Sequence, residues 1–328
     1  MNKTEPSKEV IQLSALITPL LAGKRLDQAL ALLFPEYSRS RLKEWVENHQ
    51  VLVNSTWKRP KDKVFEGDQI EIEANLTPNY DWLGEDLSSS QSDPLNIVFE
   101  DEHILVINKP NNLVVHPGAG NRTGTLVNAL LHRIPDLNQL PRAGIVHRLD
   151  KDTTGLMVVA KTLTAQLSLV KQLQGRTVKR IYEAVVWGVP TGGGAVNAPL
   201  GRHPRERTRM SVQESGKPAI THYRIVEKFK HHTHLRLQLE TGRTHQIRVH
   251  MAYINHPLVG DRLYGGRLRQ PPGATAEFQA YLKAYPRQAL HATTLGLIHP
   301  ITKTEMEWTT ELPEDMQQLL LTLRKNSV

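Results

Sequence analysis

The chain of 328 residues is long enough for two folded domains, and its lack of cysteine excludes a disulfide framework and a thiolate metal site. Its formal net charge of +8 favours a polyanionic partner, whereas five Phe and five Trp are too few for a dedicated surface that stacks single-stranded bases. The first residues, MNKTEPSKEV, lack the apolar core of a signal peptide, and no apolar run is long enough to span a membrane, so we expect a cytoplasmic protein.

The first 75 residues predict a tail followed by a small α/β domain. Apolar residues at helical spacing favour two helices, the first of which ends at Pro35. Short strands are predicted at 51–53 and 69–73, with a basic loop between them. We therefore expect a flexible tail with a short strand over residues 1–23 and a folded domain over 24–75.

This pair of helices with a basic face, followed by short strands, resembles a small RNA-binding domain first described in a ribosomal protein of the small subunit. Lys and Arg on a helix face can contact phosphates without reading bases. Each such residue alone is more often part of a solvated face, but the group together favours RNA binding. The residues predicted to contact RNA are Arg25, Arg39, Arg41, Lys43, Lys58 and Arg59.

Residues 76–94 differ in composition from the segments on both sides. They contain four acidic residues, no Lys or Arg, and the run SSSQS. Such a segment is typical of a flexible linker, and its charge should keep it away from RNA. We place the domain boundary inside this linker, so that the second domain spans residues 95–328.

The second domain is predicted to contain more strands than helices. Apolar runs and alternation predict strands at 95–99, 104–108, 156–160, 180–189, 221–229, 234–240, 290–298 and 305–308. Helical spacing predicts helices at 125–132, 162–174 and 243–254 and at the C-terminus. This pattern indicates an α+β fold built on a large, mixed and mainly antiparallel sheet.

The polar cluster HRLDKD at residues 147–152 precedes the apolar run 156–160. A run of this length bounded by Gly and Thr predicts a buried strand, so the cluster should occupy a turn at the mouth of that strand. There the Asp150 carboxylate can be partly desolvated and rigidly held, as a nucleophile or proton acceptor requires. The alternative is a surface ion pair beside a turn.

Arginines occur at two further places that bear on function. Residues 202–210 carry four arginines between predicted strands, which indicates an RNA-backbone clamp rather than a merely solvated loop. The residues expected to form that clamp are Arg202, Arg205 and Arg209. Arg243 lies in the first turn of a predicted helix, where a cation does not favour the helix dipole, so we expect it to pair with a nearby group. A desolvated Asp150 needs such a cation.

Two other kinds of site fit the sequence poorly. The glycines at 118, 120 and 124 miss the dinucleotide-binding spacing by one residue, and no Walker A pattern is present, so we expect no nucleotide cofactor. His245 and His250 do not have the spacing of a metal-ligand pair on a helix, so we expect no metal site.

Three stretches, INKPNNLVVHPG, HRLDKDTTGL and LETGRTHQIRVHM, follow one another along the chain. Together they resemble the RluA-type family of RNA pseudouridine synthases. The resemblance implies a catalytic Asp150 with Arg243 as its ion-pair partner, and a Tyr182 that packs on the target base or acts as a base. It also implies that Arg148 helps to expel the target uridine from the RNA. The residues expected to surround the substrate are His147, Arg148, Leu149 and Ile247.

The implied reaction breaks the N1–C1′ bond of uridine and rejoins the uracil through C5, without a cofactor. Asp150 would either attack as a nucleophile or remove a sugar proton, and the sequence does not separate these routes. The implied partner is large-subunit (23S) ribosomal RNA or a pre-50S particle, and no membrane. Two alternatives are a glycoside hydrolase, for which Asp152 is the nearest second carboxylate, and a non-catalytic RNA-binding factor for ribosome assembly.

Overall fold

The computed structural model of the chain describes residues 10–35, 37, 39–75, 82–87, 95–117, 121–206, 208–266 and 270–327. The first nine residues of the predicted tail, most of the predicted linker, and Gly118 and Gly120 lie outside these ranges. None of the helices within the described ranges combines the length and the apolarity needed to cross a bilayer.

The N-terminal domain is a four-stranded antiparallel sheet that packs against two helices. Its strands are β1 (Val10–Leu16), β2 (Val51–Val53), β3 (Thr56–Trp57) and β4 (Gln69–Asn75). Their order in the sheet is β1-β4-β2-β3. The helices are α1 (Leu26–Leu33) and α2 (Arg39–Glu47). Leu26 and Leu30, four residues apart on α1, are fully buried together with Leu42 and Val46 of α2, so each helix turns one apolar face to the core.

This domain begins earlier than its composition predicts. All seven residues of β1 pair with β4, from Val10 opposite Asn75 to Leu16 opposite Gln69. Ile17, just after the strand, is buried in the core of the domain. The short strand predicted within the tail is present, but residues 10–23 are not a flexible tail, because β1 supplies an edge of the sheet.

The second domain is built on a nine-stranded sheet and a separate two-stranded hairpin. Its strands are β5 (Ile97–Glu100), β6 (Ile104–Lys109), β7 (Thr154–Ala160), β8 (Lys179–Trp187), β9 (Gly194–Asn197), β10 (Leu200–Arg202), β11 (Met210–Val212), β12 (Ile220–Lys228), β13 (His232–Leu239), β14 (Leu290–Ile298) and β15 (Glu305–Thr309). Its helices are α3 (Leu126–Arg133), α4 (Leu163–Gln174), α5 (Gln246–Tyr253), α6 (Ala276–Ala284) and α7 (Glu314–Lys325).

The strand order in the large sheet is β5-β6-β7-β14-β8-β13-β12-β9, and β15 pairs with β14. Neighbouring strands are antiparallel except β7 and β14, which run parallel. The predicted α+β class with a large, mixed and mainly antiparallel sheet is thereby confirmed. The sequence did not predict α6 or the hairpin of β10 and β11.

Gly155 lies where β7 passes closest to β14. Its φ angle is +115°, and a Cβ atom there would lie 2.3 Å from the carbonyl oxygen of Ala292. The two strands can therefore approach this closely only with glycine at this position. Every residue of β7 is buried, so the strand is fixed in the core and holds the end of the turn that precedes it.

Part of the predicted linker, residues 82–87, packs on the second domain. The Asn128 side chain of α3 donates a hydrogen bond to the Leu83 carbonyl (2.7 Å), and the Gly124 N–H donates to Glu85 Oε2 (2.7 Å). Trp82 and Leu87 are partly buried against the core. A flexible linker is therefore the wrong description for these six residues, because the start of α3 offers donors that their oxygen atoms satisfy.

Candidate active site

An open cavity of about 550 Å³ lies at the N-terminal end of β7. It joins segments that are far apart in sequence: the turn before β7, strand β8, and the residues that lead into α5. The predicted site residues in its wall are His147, Arg148, Leu149, Asp150, Tyr182, Arg243 and Ile247. Leu149, Tyr182 and Ile247 are nearly buried and supply an apolar surface, whereas Arg148 is exposed. The cavity thus places the Asp150 carboxylate beside an apolar wall.

Arg248 of α5 is the cation that pairs with Asp150. Its Nη1 lies 2.9 Å from Asp150 Oδ2, while Nε and Nη2 contact the two oxygens of Asp261 at 2.7 and 3.0 Å. Arg248 and Asp261 are only 8% and 4% exposed. Although burial opposes its charge, the Asp261 and Asp150 carboxylates raise the pKa of Arg248 and keep it protonated. Asp261 therefore fixes the guanidinium in the orientation that leaves one N–H for Asp150.

Arg243, the predicted partner of Asp150, lies elsewhere in the cavity wall. Its side chain is exposed, and its Nε donates to the Pro218 carbonyl at 3.2 Å. The prediction of an Asp150–Arg243 ion pair is wrong because α5 begins at Gln246 rather than at residue 243.

The late start of α5 has a local cause. His245 has a left-handed backbone with φ +56°, which a regular helix does not permit. The Thr241 hydroxyl and the Arg243 N–H both donate to Gln246 Oε1, at 2.8 and 3.0 Å, so this side chain closes the preceding turn. One signal for Arg248 is present in the sequence: helical spacing puts it on the same face as the apolar Met251, where a cation calls for a buried partner.

Buried side chains donate hydrogen bonds to the backbone of the turn that carries Asp150. We call this turn, residues 150–153, the aspartate turn. Lys109 Nζ donates to the carbonyls of Lys151, Pro110 and Leu113 at 2.8 to 2.9 Å. Burial lowers the pKa of Lys109 to about 7, while Asp152 and Asp150 oppose that shift.

On the other side of the aspartate turn, Arg287 Nη1 donates to the Asp152 carbonyl at 3.2 Å. Its remaining nitrogens hold Asp315 of α7 at 2.6 and 2.8 Å. Arg287 is only 3% exposed. The C-terminal helix therefore contributes to the rigidity of the site.

Replacing Lys109 with Met is expected to destabilise the domain by about 3 kcal/mol, because three carbonyls lose the buried ammonium group that donates to them. Turnover is expected to fall as well, since Lys151 then loses its anchor. Thermal unfolding and initial rates would measure the two effects. The matched control is Lys151→Met, an equal change at an exposed neighbour, which should keep the wild-type melting temperature. Equal melting temperatures for both variants would show that the contacts of Lys109 do not support the turn.

Comparison with known proteins identifies the family. Residues 103–253 match the family model described as RNA pseudouridylate synthase. The chain is 58% identical over 315 residues to ribosomal large subunit pseudouridine synthase D of Salmonella typhimurium, which covers 96% of this chain and 95% of that protein. The chain belongs to the RNA pseudouridylate synthase family. The predicted resemblance and the predicted class of enzyme, an RNA pseudouridine synthase, are confirmed.

Two further relatives of this synthase agree. The Pseudomonas aeruginosa protein of the same name is 54% identical over 318 residues, covering 97% of this chain and 98% of that protein. Among solved structures, human RNA pseudouridylate synthase domain containing 4 superposes with a TM-score of 0.56 at 26% identity. That match covers 70% of this chain and 93% of the human one.

In the synthase, the predicted catalytic residue Tyr182 and the predicted substrate-binding residue His147 have surroundings that restrict their roles. Burial raises the pKa of the Tyr182 phenol, and Asp150 adds to this shift against the effect of Arg180, so the phenol stays protonated. Burial and Arg180 lower the pKa of His147 to about 3. The neutral imidazole accepts the Val158 N–H through Nε2 at 3.0 Å, which ties the polar cluster to β7.

The predicted arginine clamp lies outside the cavity wall. Strands β10 and β11 and the described residues of their loop form the arginine hairpin, which carries Arg202, Arg205 and Arg209. Arg209 pairs with Glu206 at 3.0 Å, and Arg205 is exposed. The hairpin therefore presents its cations outside the cavity wall.

The predicted RNA-binding residues of the N-terminal domain are mostly paired with carboxylates of the same domain. The pairs are Arg25–Asp27, Lys43–Glu47, Lys58–Asp68 and Arg59–Asp62, at 2.9 to 3.5 Å. The Lys58–Asp68 pair is mostly buried, whereas the cations of the other three pairs are exposed. Exposed pairs contribute little stability, so phosphates can compete for those three cations. Within the described part of the chain, no three His, Cys, Asp or Glu side chains are grouped as ligands for a metal ion.

Proposed function

We propose that this synthase converts uridine to pseudouridine in large-subunit (23S) ribosomal RNA, as free RNA or in a pre-50S particle, in the cytoplasm. Relatives that are 54 to 58% identical over nearly the whole chain carry the name ribosomal large subunit pseudouridine synthase D. The targets we propose are clustered uridines of a stem-loop at the subunit interface. The observation that carries the proposal is the Asp150 carboxylate, held by Arg248 at 2.9 Å in a cavity with Tyr182 in its wall.

In the proposed reaction, Asp150 acts on the ribose of a uridine that has left the RNA stack. It either attacks C1′ as a nucleophile or removes a sugar proton, and in both routes the N1–C1′ bond breaks. The detached uracil rotates and bonds to C1′ through C5. This bond displaces the Asp150 carboxylate from C1′ in the first route, and in the second route Asp150 returns the proton to the sugar. The C5 proton then leaves and N1 gains one, so the isomerisation balances without a cofactor. Arg248 keeps the carboxylate ionised and oriented, and the protonated Tyr182 packs against the uracil.

Cations around the cavity would hold the RNA backbone while the uridine is extruded. Arg148 is exposed next to Asp150 and would take the place of the extruded base. Arg243 is exposed in the same wall, which suits a phosphate contact instead of the ion pair first expected. Arg202, Arg205 and Arg209 of the arginine hairpin would extend this contact along the strand.

Release of tritium from RNA labelled at uracil C5 tests the proposed activity, because the C5 hydrogen is lost only when C5 forms the new glycosidic bond. The synthase should release tritium from large-subunit RNA or from particles that lack the modification. Mapping pseudouridines in ribosomal RNA from cells with and without the protein tests the target. Unchanged large-subunit positions would reject the proposed substrate, and binding without release would favour the assembly-factor alternative.

The N-terminal domain is proposed to bind RNA through the exposed face of α2. The full-length double variant Arg39→Gln, Lys43→Gln should bind RNA several-fold more weakly, and the slope of log affinity against log salt should fall by about 1.5, since two phosphate contacts are lost. Filter binding between about 50 and 200 mM salt would measure this slope. The control, Lys283→Gln with Lys325→Gln, removes the same charge from α6 and α7. An equal loss in both variants would show that net charge, and not this face, binds RNA.

A further inference from the structure

We propose that Tyr264 is a positioning residue that couples RNA binding at the arginine hairpin to the placement of the Asp150 carboxylate. Tyr264 lies in the segment between α5 and α6 and is half-buried. The proposal rests on the proposed function, because it assigns Asp150 to the chemistry and the hairpin to the RNA.

Tyr264 is attached to the hairpin by its hydroxyl and by its ring. The Met210 N–H, at the start of β11, donates to the Tyr264 hydroxyl at 2.8 Å. The Arg209 guanidinium lies 5.6 Å from the centre of the ring, within the range of a cation–π contact. The ring also packs with Met210 against the small apolar cluster that contains Leu200 and Val249. A displacement of the hairpin backbone at residue 210 therefore acts directly on this hydroxyl.

The same hydroxyl reaches one oxygen of Asp150 through His245. Tyr264 Oη lies 2.7 Å from His245 Nδ1, and His245 Nε2 lies 3.8 Å from Asp150 Oδ1. Since the Tyr264 oxygen accepts a hydrogen bond from the Met210 N–H, the Tyr264 hydroxyl can donate its own hydrogen bond to His245 Nδ1. The proton of the neutral imidazole is then on Nε2, facing the carboxylate. Burial lowers the pKa of His245 and favours this neutral form, although Asp150 opposes the shift.

Tyr264 reaches the other oxygen of Asp150 through Arg248. The Arg248 guanidinium lies 5.0 Å from the centre of the Tyr264 ring and 2.9 Å from Asp150 Oδ2. The Tyr264 N–H donates to Asp261 Oδ1 at 3.0 Å, the carboxylate that orients Arg248. Two cations, Arg209 and Arg248, thus share one aromatic ring. A phosphate that draws Arg209 from Glu206 and away from the ring would leave Arg248 as the cation on that ring, which strengthens this contact.

Kinetics of the full-length Tyr264→Phe variant test the coupling. It keeps the ring but loses both hydroxyl contacts, so kcat should fall about tenfold while the half-saturating RNA concentration stays within about twofold. The matched control is Tyr253→Phe, which removes a hydroxyl from a 59% exposed tyrosine of α5 and should leave both constants unchanged. A rise in the half-saturating concentration with unchanged kcat would make Tyr264 an RNA contact and overturn the proposal.

A double-mutant cycle with Arg209→Gln separates coupling from a structural role. In the wild-type background, Arg209→Gln should weaken RNA binding and also lower kcat. In a Tyr264→Leu background, Arg209→Gln should still weaken binding but no longer change kcat. If Arg209→Gln lowers kcat by the same factor in both backgrounds, Tyr264 does not carry the signal and the proposal fails. Since each comparison is made within one background, a general loss of stability in Tyr264→Leu does not affect it.

The choice of substrate keeps this test independent of the proposed target. Total RNA and ribosomal particles from cells that lack the protein contain its target whichever RNA that is. The same preparations depleted of large-subunit RNA form a second arm. Product retained after depletion would reject the large-subunit target, while the double-mutant cycle on the undepleted preparation would still decide the role of Tyr264.

Discussion

Asp150→Asn is expected to abolish pseudouridine formation while RNA binding and the melting temperature stay close to those of the wild type. The amide has the shape of the carboxylate and can still accept the Arg248 N–H. It carries no charge, so it can neither attack C1′ nor take a sugar proton. Removing a general base costs at least about 100-fold in rate, and removing a nucleophile costs more. Single-turnover tritium release with enzyme in excess over RNA would measure the loss.

The control for this variant is Asp152→Asn, the same chemical change two residues further along the turn. Among the described residues, no side-chain hydrogen bond to the Asp152 carboxylate is seen, although its backbone carbonyl accepts from Arg287. Its turnover should remain within about threefold of the wild type, because it is not the carboxylate paired with Arg248. Release at the wild-type rate by Asp150→Asn would move the chemistry to another group and contradict the proposed mechanism.

Arg248→Gln is expected to have the second-largest effect, on rate and on stability together. Loss of the guanidinium leaves the buried Asp261 carboxylate without its bidentate partner, and breaking such a pair costs about 3 to 5 kcal/mol. Asp150 loses its cation in the same change. We expect kcat to fall by at least about 100-fold, on the scale of a lost preorganised charge contact in an active site. Denaturant unfolding and single-turnover rates would measure the two effects.

Two further variants show which part of that loss is catalytic. The double variant Arg248→Gln, Asp261→Asn removes both buried charges and should regain most of the stability, because no unpaired carboxylate remains. Its turnover should stay low, since Asp150 still lacks a cation. Arg243→Gln should retain kcat and raise only the half-saturating RNA concentration. Loss of kcat in Arg243→Gln with a normal Arg248→Gln enzyme would restore Arg243 as the functional partner.

The buried strands and most helices of the second domain follow from local patterns. Strand β14 has the predicted bounds, 290–298, because a run rich in apolar residues marks it. Helix α4 ends at the predicted residue 174 and begins after the predicted N-cap, Thr162. Both signals lie within the few residues that form the element. The α1 face and the turn before β7 follow in the same way. The pairing of β1 with β4 does not, since the two strands are separated by more than fifty residues and either could have been an edge or a tail.

The segment 82–87 shows why composition alone mispredicts a contact. Its acidic and polar residues are typical of a flexible linker. In the folded chain, the Glu85 carboxylate accepts a hydrogen bond from the Gly124 N–H, a donor just before α3 that lies outside the hydrogen bonds of the helix. The need to satisfy that donor appears only after the helix is placed in the fold.

The sequence by itself determined the family, the α+β class and the place of Asp150, the proposed reactive carboxylate, because each depends on residues that are close together in the chain. Asp150 lies in a polar cluster at the mouth of an apolar run, and both are visible without a structure. Only the tertiary structure decided which cation pairs with Asp150, namely Arg248. The left-handed His245 delays α5, and Asp261, thirteen residues beyond Arg248, orients the guanidinium. Lys109 reaches the same turn from β6. Contacts between distant segments depend on helix phase and strand order, which no local pattern specifies.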